Sequence, residues 1–226
     1  MNKQVLENPA KNQDNNFNYL VIITALMVTS YLTSNIMAVK LIDLFGVTWF
    51  DAGTIIFPVA YMLGDVLTEI WGFKTAKKVI YLTFVCNVIM TVFTSIGVLF
   101  SAPDYMADVE QAYATIFSYT PRILVASLIA FLSGELTNAK MMVVIKKITN
   151  KKWLFVRTIL SSAVGYVFDT GLFVILAFAG TVPVYDIVSM IVVQYFVKLV
   201  IEAVFATPFA YLVVGFLRKR VGECHE

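Results

Sequence analysis

Six apolar stretches, each long enough to cross a lipid bilayer as a helix, divide this chain almost from end to end. They cover about residues 19–39, 53–71, 79–100, 123–145, 158–179 and 187–217 of 226. A hydrocarbon core about 30 Å thick takes roughly 20 apolar residues at ~1.5 Å of rise each. Lipid offers no water to unpaired backbone groups, so each stretch should be helical. The ten-residue alternation of a membrane barrel is missing. Composition agrees, with 59% apolar and only 14% charged residues, against about 25% charged in soluble domains. The expected fold is an all-α integral membrane protein, a bundle of six transmembrane helices. A polar tail precedes it at 1–18, the bundle fills 19–217, and a basic tail closes the chain at 218–226.

Sidedness follows from the cations. Of seventeen Lys and Arg, thirteen fall in the two tails and in the loops after the second and fourth stretches. Those segments share one side if there are six spans, and positive charge marks the cytoplasmic side. Both termini are therefore expected in the cytoplasm. The loop at 101–121 carries Asp104, Asp108 and Glu110 instead and falls outside.

Several function classes drop out here. A net charge of +2, with cations in short clusters, argues against nucleic acid as a partner. One His and two Cys leave no raw material for a metal site built on those ligands. No cofactor-binding pattern is present, and no nucleotide-binding loop of the G-x-x-x-x-G-K-[ST] kind.

The informative residues are polar ones in the middle of apolar stretches. A charge at the centre of a membrane helix costs about 3 kcal/mol on insertion scales, so such residues pair or line a wet path. Asp65 and Glu69 are spaced i,i+4 with Tyr61 a turn above, and Glu135 and Asn138 i,i+3. Ser162, Tyr166, Asp169 and Phe173 form one stripe; Gln194, Lys198 and Glu202 repeat every four residues. Four helices thus each turn a polar stripe inward, and Glu135, Asn138, Asp169 and Lys198 come out near one depth. The plainer readings are specific too. Glu69 lies close enough to Lys74 and Lys77 for an interfacial ion pair, Lys198 and Glu202 can neutralise each other, and Gly134 and Gly165 suit close helix packing.

The segments TSNIMAVK (33–40), FPVAYMLGDVLTEIWG (57–72), ASLIAFLSGELTN (126–138), SSAVGYVFDTGLF (161–173) and QYFVKLVIEAVFATPFAY (194–211) resemble the queuosine precursor transporter family, also called the vitamin uptake transporter family. The resemblance runs in order along most of 20–217. It implies a six-helix importer of the bacterial inner membrane, not an enzyme, whose small-molecule substrate is a 7-deazaguanine: the 7-cyano or 7-aminomethyl precursor, or queuine. By position it implies polar site residues at Asn35, Asp65, Glu69, Glu135, Asn138, Asp169, Gln194 and Lys198. Glu135 and Asn138 stand where some members have Gln and Asp, and Tyr166 where others have an amide or acid.

Substrate chemistry is compatible with these residues. A 7-deazaguanine presents N1–H and an exocyclic amine side by side, two donors for one carboxylate such as Glu135 or Asp169. Asn138, Gln194 or Lys198 can donate to the adjoining carbonyl, and Tyr166 or Phe173 can stack on the flat base. Two other readings compete. One is the substrate-binding membrane subunit of an ATP-driven vitamin importer. The other is an intramembrane aspartyl protease using Asp65 and Asp169, although the order and flanking residues do not match that family. The lipid bilayer is a partner on any of these readings, and a homo-oligomer is left open.

Overall fold

The computed structural model describes residues 9–44, 47–117, 121–150, 152–181 and 183–221. Its architecture is helical. In chain order come α1 (Pro9–Met37), a hairpin of β1 (Leu41–Leu44) and β2 (Val47–Asp51), and α2 (Gly53–Val98). A short 3-10 turn (Asp104–Met106), α3 (Ala107–Phe117), α4 (Pro121–Ile148) and α5 (Leu154–Phe178) follow. Then come α6 (Val184–Ile201), a π turn (Glu202–Ala206) and α7 (Thr207–Val221). Five helical stretches among the described residues are long and apolar enough to cross a membrane: Asn16–Met37, Gly53–Val98, Val125–Ile148, Leu154–Phe178 and Val184–Arg220.

The longest, α2, has 46 residues, about twice what a bilayer core needs. It is interrupted at Gly72, where φ is 79° and ψ is 166°, a conformation open essentially to glycine alone. The chain reverses there. Ser34 donates to the Gly53 carbonyl at the start of α2, Trp71 donates to Asn16, and Asn35 donates to Asn87. The first half of α2 therefore runs antiparallel to α1 and the second half runs back alongside it. Six helical legs result, as the apolar stretches foretold. The loop expected to hold Lys74, Lys77 and Lys78 does not exist: these residues lie on the helix that leaves Gly72. One glycine makes the whole turn.

Three other features depart from expectation. β1 and β2 pair as antiparallel strands, with Leu41 opposite Asp51 and a register shift between Ile42 and Asp43. The outer loop contains α3, whose first turn holds Asp108 and Glu110, a placement the helix dipole favours. The last apolar stretch is distorted at Glu202–Ala206, just before Pro208. Pro208 supplies no N–H to the preceding turn, and a π turn accommodates the loss. At the N-terminal end, α1 is helical from Pro9, so part of the expected tail is helix; residues 1–8 and 222–226 lie outside the described set.

Packing follows the polar stripes. On α5, Ser162, Tyr166 and Asp169 are buried, whereas Leu160, Val167, Phe168 and Ile175 are exposed. On α6, Gln194 and Lys198 are buried, whereas Phe196 and Val200 are exposed. This is the inverse of a soluble bundle and suits a lipid surround. α4 and α5 cross where Gly134 and Gly165 face each other. A Cβ on Gly165 would come 3.1 Å from the Gly134 carbonyl oxygen and 2.9 Å from Tyr61, so the glycines permit the close approach.

Candidate functional site

At the hairpin end of the bundle a cavity of about 310 Å³ opens beneath α3, and a smaller recess of about 60 Å³ continues it inward. Asn35, Ala38, Asp51, Ser127, Phe173 and Gln194 line both, which makes them one continuous space. Its inner part is walled by Phe57, Asp169 and Lys198. The volume lies at the small end of ligand pockets, roughly 300–1,000 Å³.

Two polar groupings shape this space. Along one wall, Asn35 Nδ2 donates to Asn87 Oδ1 at 2.7 Å, and Ser127 Oγ donates to Asn35 Oδ1 at 3.3 Å. At the inner end, Lys198 Nζ lies 2.7 Å from Asp169 Oδ2, donates to Thr170 Oγ1 at 3.2 Å, and sits 4.4 Å from the centroid of the Phe57 ring. The pair spans α5 and α6, so Lys198 is neutralised across helices and not by Glu202 along its own. At the mouth, Asp51 accepts from the Thr54 backbone N–H at 3.1 Å and from its hydroxyl at 3.3 Å, which ties β2 to the first turn of α2. Burial raises the Asp51 carboxyl above its ordinary value, opposed by the Lys198 ammonium and by the hydrogen bond from Thr54.

Behind the recess lies a second polar layer that lines neither cavity. Asp65 Oδ1 accepts from Asn138 Nδ2 at 2.9 Å, and the Tyr166 hydroxyl donates to Glu202 Oε2 at 3.0 Å. Glu135 is fully buried, and among the described residues neither of its carboxyl oxygens has a hydrogen-bond partner. Room for this carboxyl comes from Gly64, where a Cβ would come 2.8 Å from Oε2. The Tyr61 and Tyr166 rings, 4.5 Å apart, sit in the same layer.

Glu69 belongs to neither grouping. It accepts two hydrogen bonds from Arg157, at 2.9 and 3.0 Å, lies 3.2 Å from Lys146 Nζ, and pairs with Arg218. The first half of α2, α4, α5 and α7 thus converge on one buried carboxylate at the end where Tyr19 of α1 meets Phe216 of α7. The ion pair expected for Glu69 is present, but with Arg157, Lys146 and Arg218 in place of Lys74 and Lys77. An Arg fork on a carboxylate fits bidentately where a flexible Lys on a neighbouring turn cannot.

Of the residues singled out in the sequence, the structure gathers Asn35, Asp169, Phe173, Gln194 and Lys198 on the cavity. It sets Asp65, Glu135, Asn138 and Tyr166 behind it and holds Glu69 apart. Asp65 and Asp169 are engaged by different partners, Asn138 and Lys198, which is no aspartyl-protease dyad. Asp51, Asn87, Ser127 and Phe57 were missed. Asn87 carried a legible signal, an amide inside an apolar run; Asp51 and Phe57 needed the hairpin and the α6 contact to be seen.

A cavity holding a few polar side chains inside a bundle of long apolar helices, with an ionic cluster at the other end of the bundle, suits a multi-pass membrane transporter. A family profile described as "Putative vitamin uptake transporter" matches residues 51–213. The chain is also 30% identical over 179 residues to a protein of Bacillus subtilis (strain 168) named "Probable queuosine precursor transporter", covering 79% of this chain and 77% of that one. This chain belongs to the vitamin uptake transporter family, as its motifs indicated, and is a transporter and not an enzyme. No solved structure matches it.

Proposed function

We propose that this chain imports queuosine precursors across the bacterial inner membrane, binding a 7-deazaguanine in the cavity at the hairpin end and passing it inward by alternating access. The observation that carries this reading is the cavity's inner end. There a carboxylate, an ammonium group, a side-chain amide and two aromatic rings converge on a recess of about 60 Å³ that opens into the cavity of about 310 Å³, and the base lies across the two. Asp169 accepts from N1–H and the exocyclic amine, Lys198 or Gln194 donates to the carbonyl, and Phe173 or Phe57 packs on the ring face. Asn35 faces the substituent side. The relative's printed name supports the substrate class.

The six legs are six membrane crossings on this reading, and the basic clusters put both termini in the cytoplasm. The cavity then opens outward while the Glu69 cluster seals the inner end. That is an outward-facing state of an alternating-access cycle, and release requires the ionic cluster to part. Uptake of labelled 7-cyano-7-deazaguanine by the purified chain in liposomes, without ATP, tests the reading. Saturable uptake is expected. Uptake that appears only with added ATPase subunits would instead favour the substrate-binding subunit of an ATP-driven importer.

A further inference from the structure

Among the described residues, Glu135 is buried without a donor or a cation. Its charged neighbours are Asp65 on α2, Asp169 on α5 and Glu202 in the π turn, all acidic. Among the described residues, the buried cations Lys198 and Arg157 are engaged elsewhere, by Asp169 and by Glu69. Asn138 is spent on Asp65, and the Tyr166 hydroxyl on Glu202. Asp65 Oδ2 and the Tyr61 hydroxyl likewise have no partner. An ionised carboxylate in such an enclosure carries a heavy desolvation penalty and adds like-charge repulsion. The carboxylic acid carries neither. Among the described residues no group of three or more His, Cys, Asp or Glu side chains is placed to hold a metal ion. A bound proton removes the charge from such a carboxyl.

We propose that Glu135, with Asp65 and Glu202 as its acidic neighbours, is a proton-binding site, and that a proton crosses the membrane with each base. This rests on the importer reading and adds its energy source. Tyr61 connects the two layers: its acidic neighbours include Asp169 at the cavity and Glu135 behind it. The balance is simple. An O–H bond forms on Glu135 with a proton from the outer water, the bundle closes on the neutral acid and the base, and the inner end opens. Water then reaches the layer, the O–H bond breaks, and proton and base leave to the inside. No electron moves.

The experiment uses the full chain in proteoliposomes with labelled 7-cyano-7-deazaguanine, which is uncharged, so a membrane potential does not act on the base itself. With the outside one pH unit more acidic and the membrane potential clamped at zero by valinomycin and equal potassium, one proton per base corresponds to about tenfold accumulation at equilibrium. The wild type is expected to approach that ratio. It should also draw protons from the medium when base is added, read by a pH dye. Glu135→Gln is expected to fill the vesicles no further than the outside concentration and to show no such proton uptake. Glu135→Asp, which keeps a titrating group, should restore accumulation. Three results overturn the proposal: wild-type filling that ignores the proton gradient, accumulation by Glu135→Gln equal to wild type, or loss in Glu135→Asp as complete as in Glu135→Gln. Accumulation driven by sodium instead overturns it as well. Exchange of labelled for unlabelled base at equal pH separates the two claims, because its failure in the wild type removes the importer reading rather than the proton site.

Discussion

Two residues of similar chemistry illustrate how position divides structural from binding roles. Glu69 meets three cations from three helices, and Arg157, only 1% exposed, has that carboxylate as its ion partner. Removing one side of a buried pair costs about 3–5 kcal/mol, because the other charge stays enclosed. Glu69→Gln should therefore lower the thermal stability of the detergent-purified protein sharply; a melting temperature within a degree of wild type would show the cluster to be dispensable. Gln194 is the opposite case. It is neutral, lines both parts of the cavity and is not part of an ion pair. Gln194→Ala should weaken binding of the 7-cyano precursor by about 0.5–1.5 kcal/mol, the worth of one neutral hydrogen bond, while the melting temperature stays near wild type. Titration calorimetry with a parallel melt checks both halves. The polar spacing in the sequence picked out both residues and offered an ion pair for Glu69 alone, but with Lys74 and Lys77 as its partners. That distinction came from Arg157 and Arg218, distant in sequence and close in space.

At the scale of elements, the apolar stretches gave the legs and their order, while the connections were less legible. Apolar length is a property of local composition, so 154–178 reads as a helix without any fold. The reversal at Gly72 depends on a single φ of 79°, and the flanking Lys74, Lys77 and Lys78 made it look like a longer loop. α3 was read as part of a loop because its packing partner on α2 is not visible in local composition. Gly72→Ala places a side chain in a conformation that costs about 1–3 kcal/mol, so it should lower the melting temperature. Gly171→Ala on α5 is the matched control. A Cβ there meets nothing within 4 Å, and replacing a helical glycine by alanine is favourable by about 1 kcal/mol. Equal effects from the two substitutions would mean that Gly72 is not the turning point.

For the whole molecule, the fold separates a cavity at the hairpin end from a sealed end where the basic residues gather, and this polarity underlies the proposed direction of transport. A reporter fused after Glu226 should be cytoplasmic and one inserted near Asp108 external; the reverse result would invert the cycle. Substrate class was legible in the sequence only through family motifs, because no single residue spacing encodes a 7-deazaguanine. The cavity adds a physical reason for it, a carboxylate and an amide set against aromatic faces. The most direct measurement is a binding titration of the purified chain with the 7-cyano and 7-aminomethyl precursors, queuine and guanine. Saturable binding of at least one 7-deazaguanine in clear preference to guanine, weakened by Gln194→Ala, is the predicted result. No binding of any 7-deazaguanine, or binding that Gln194→Ala and Asn35→Ala both leave untouched, would contradict the account.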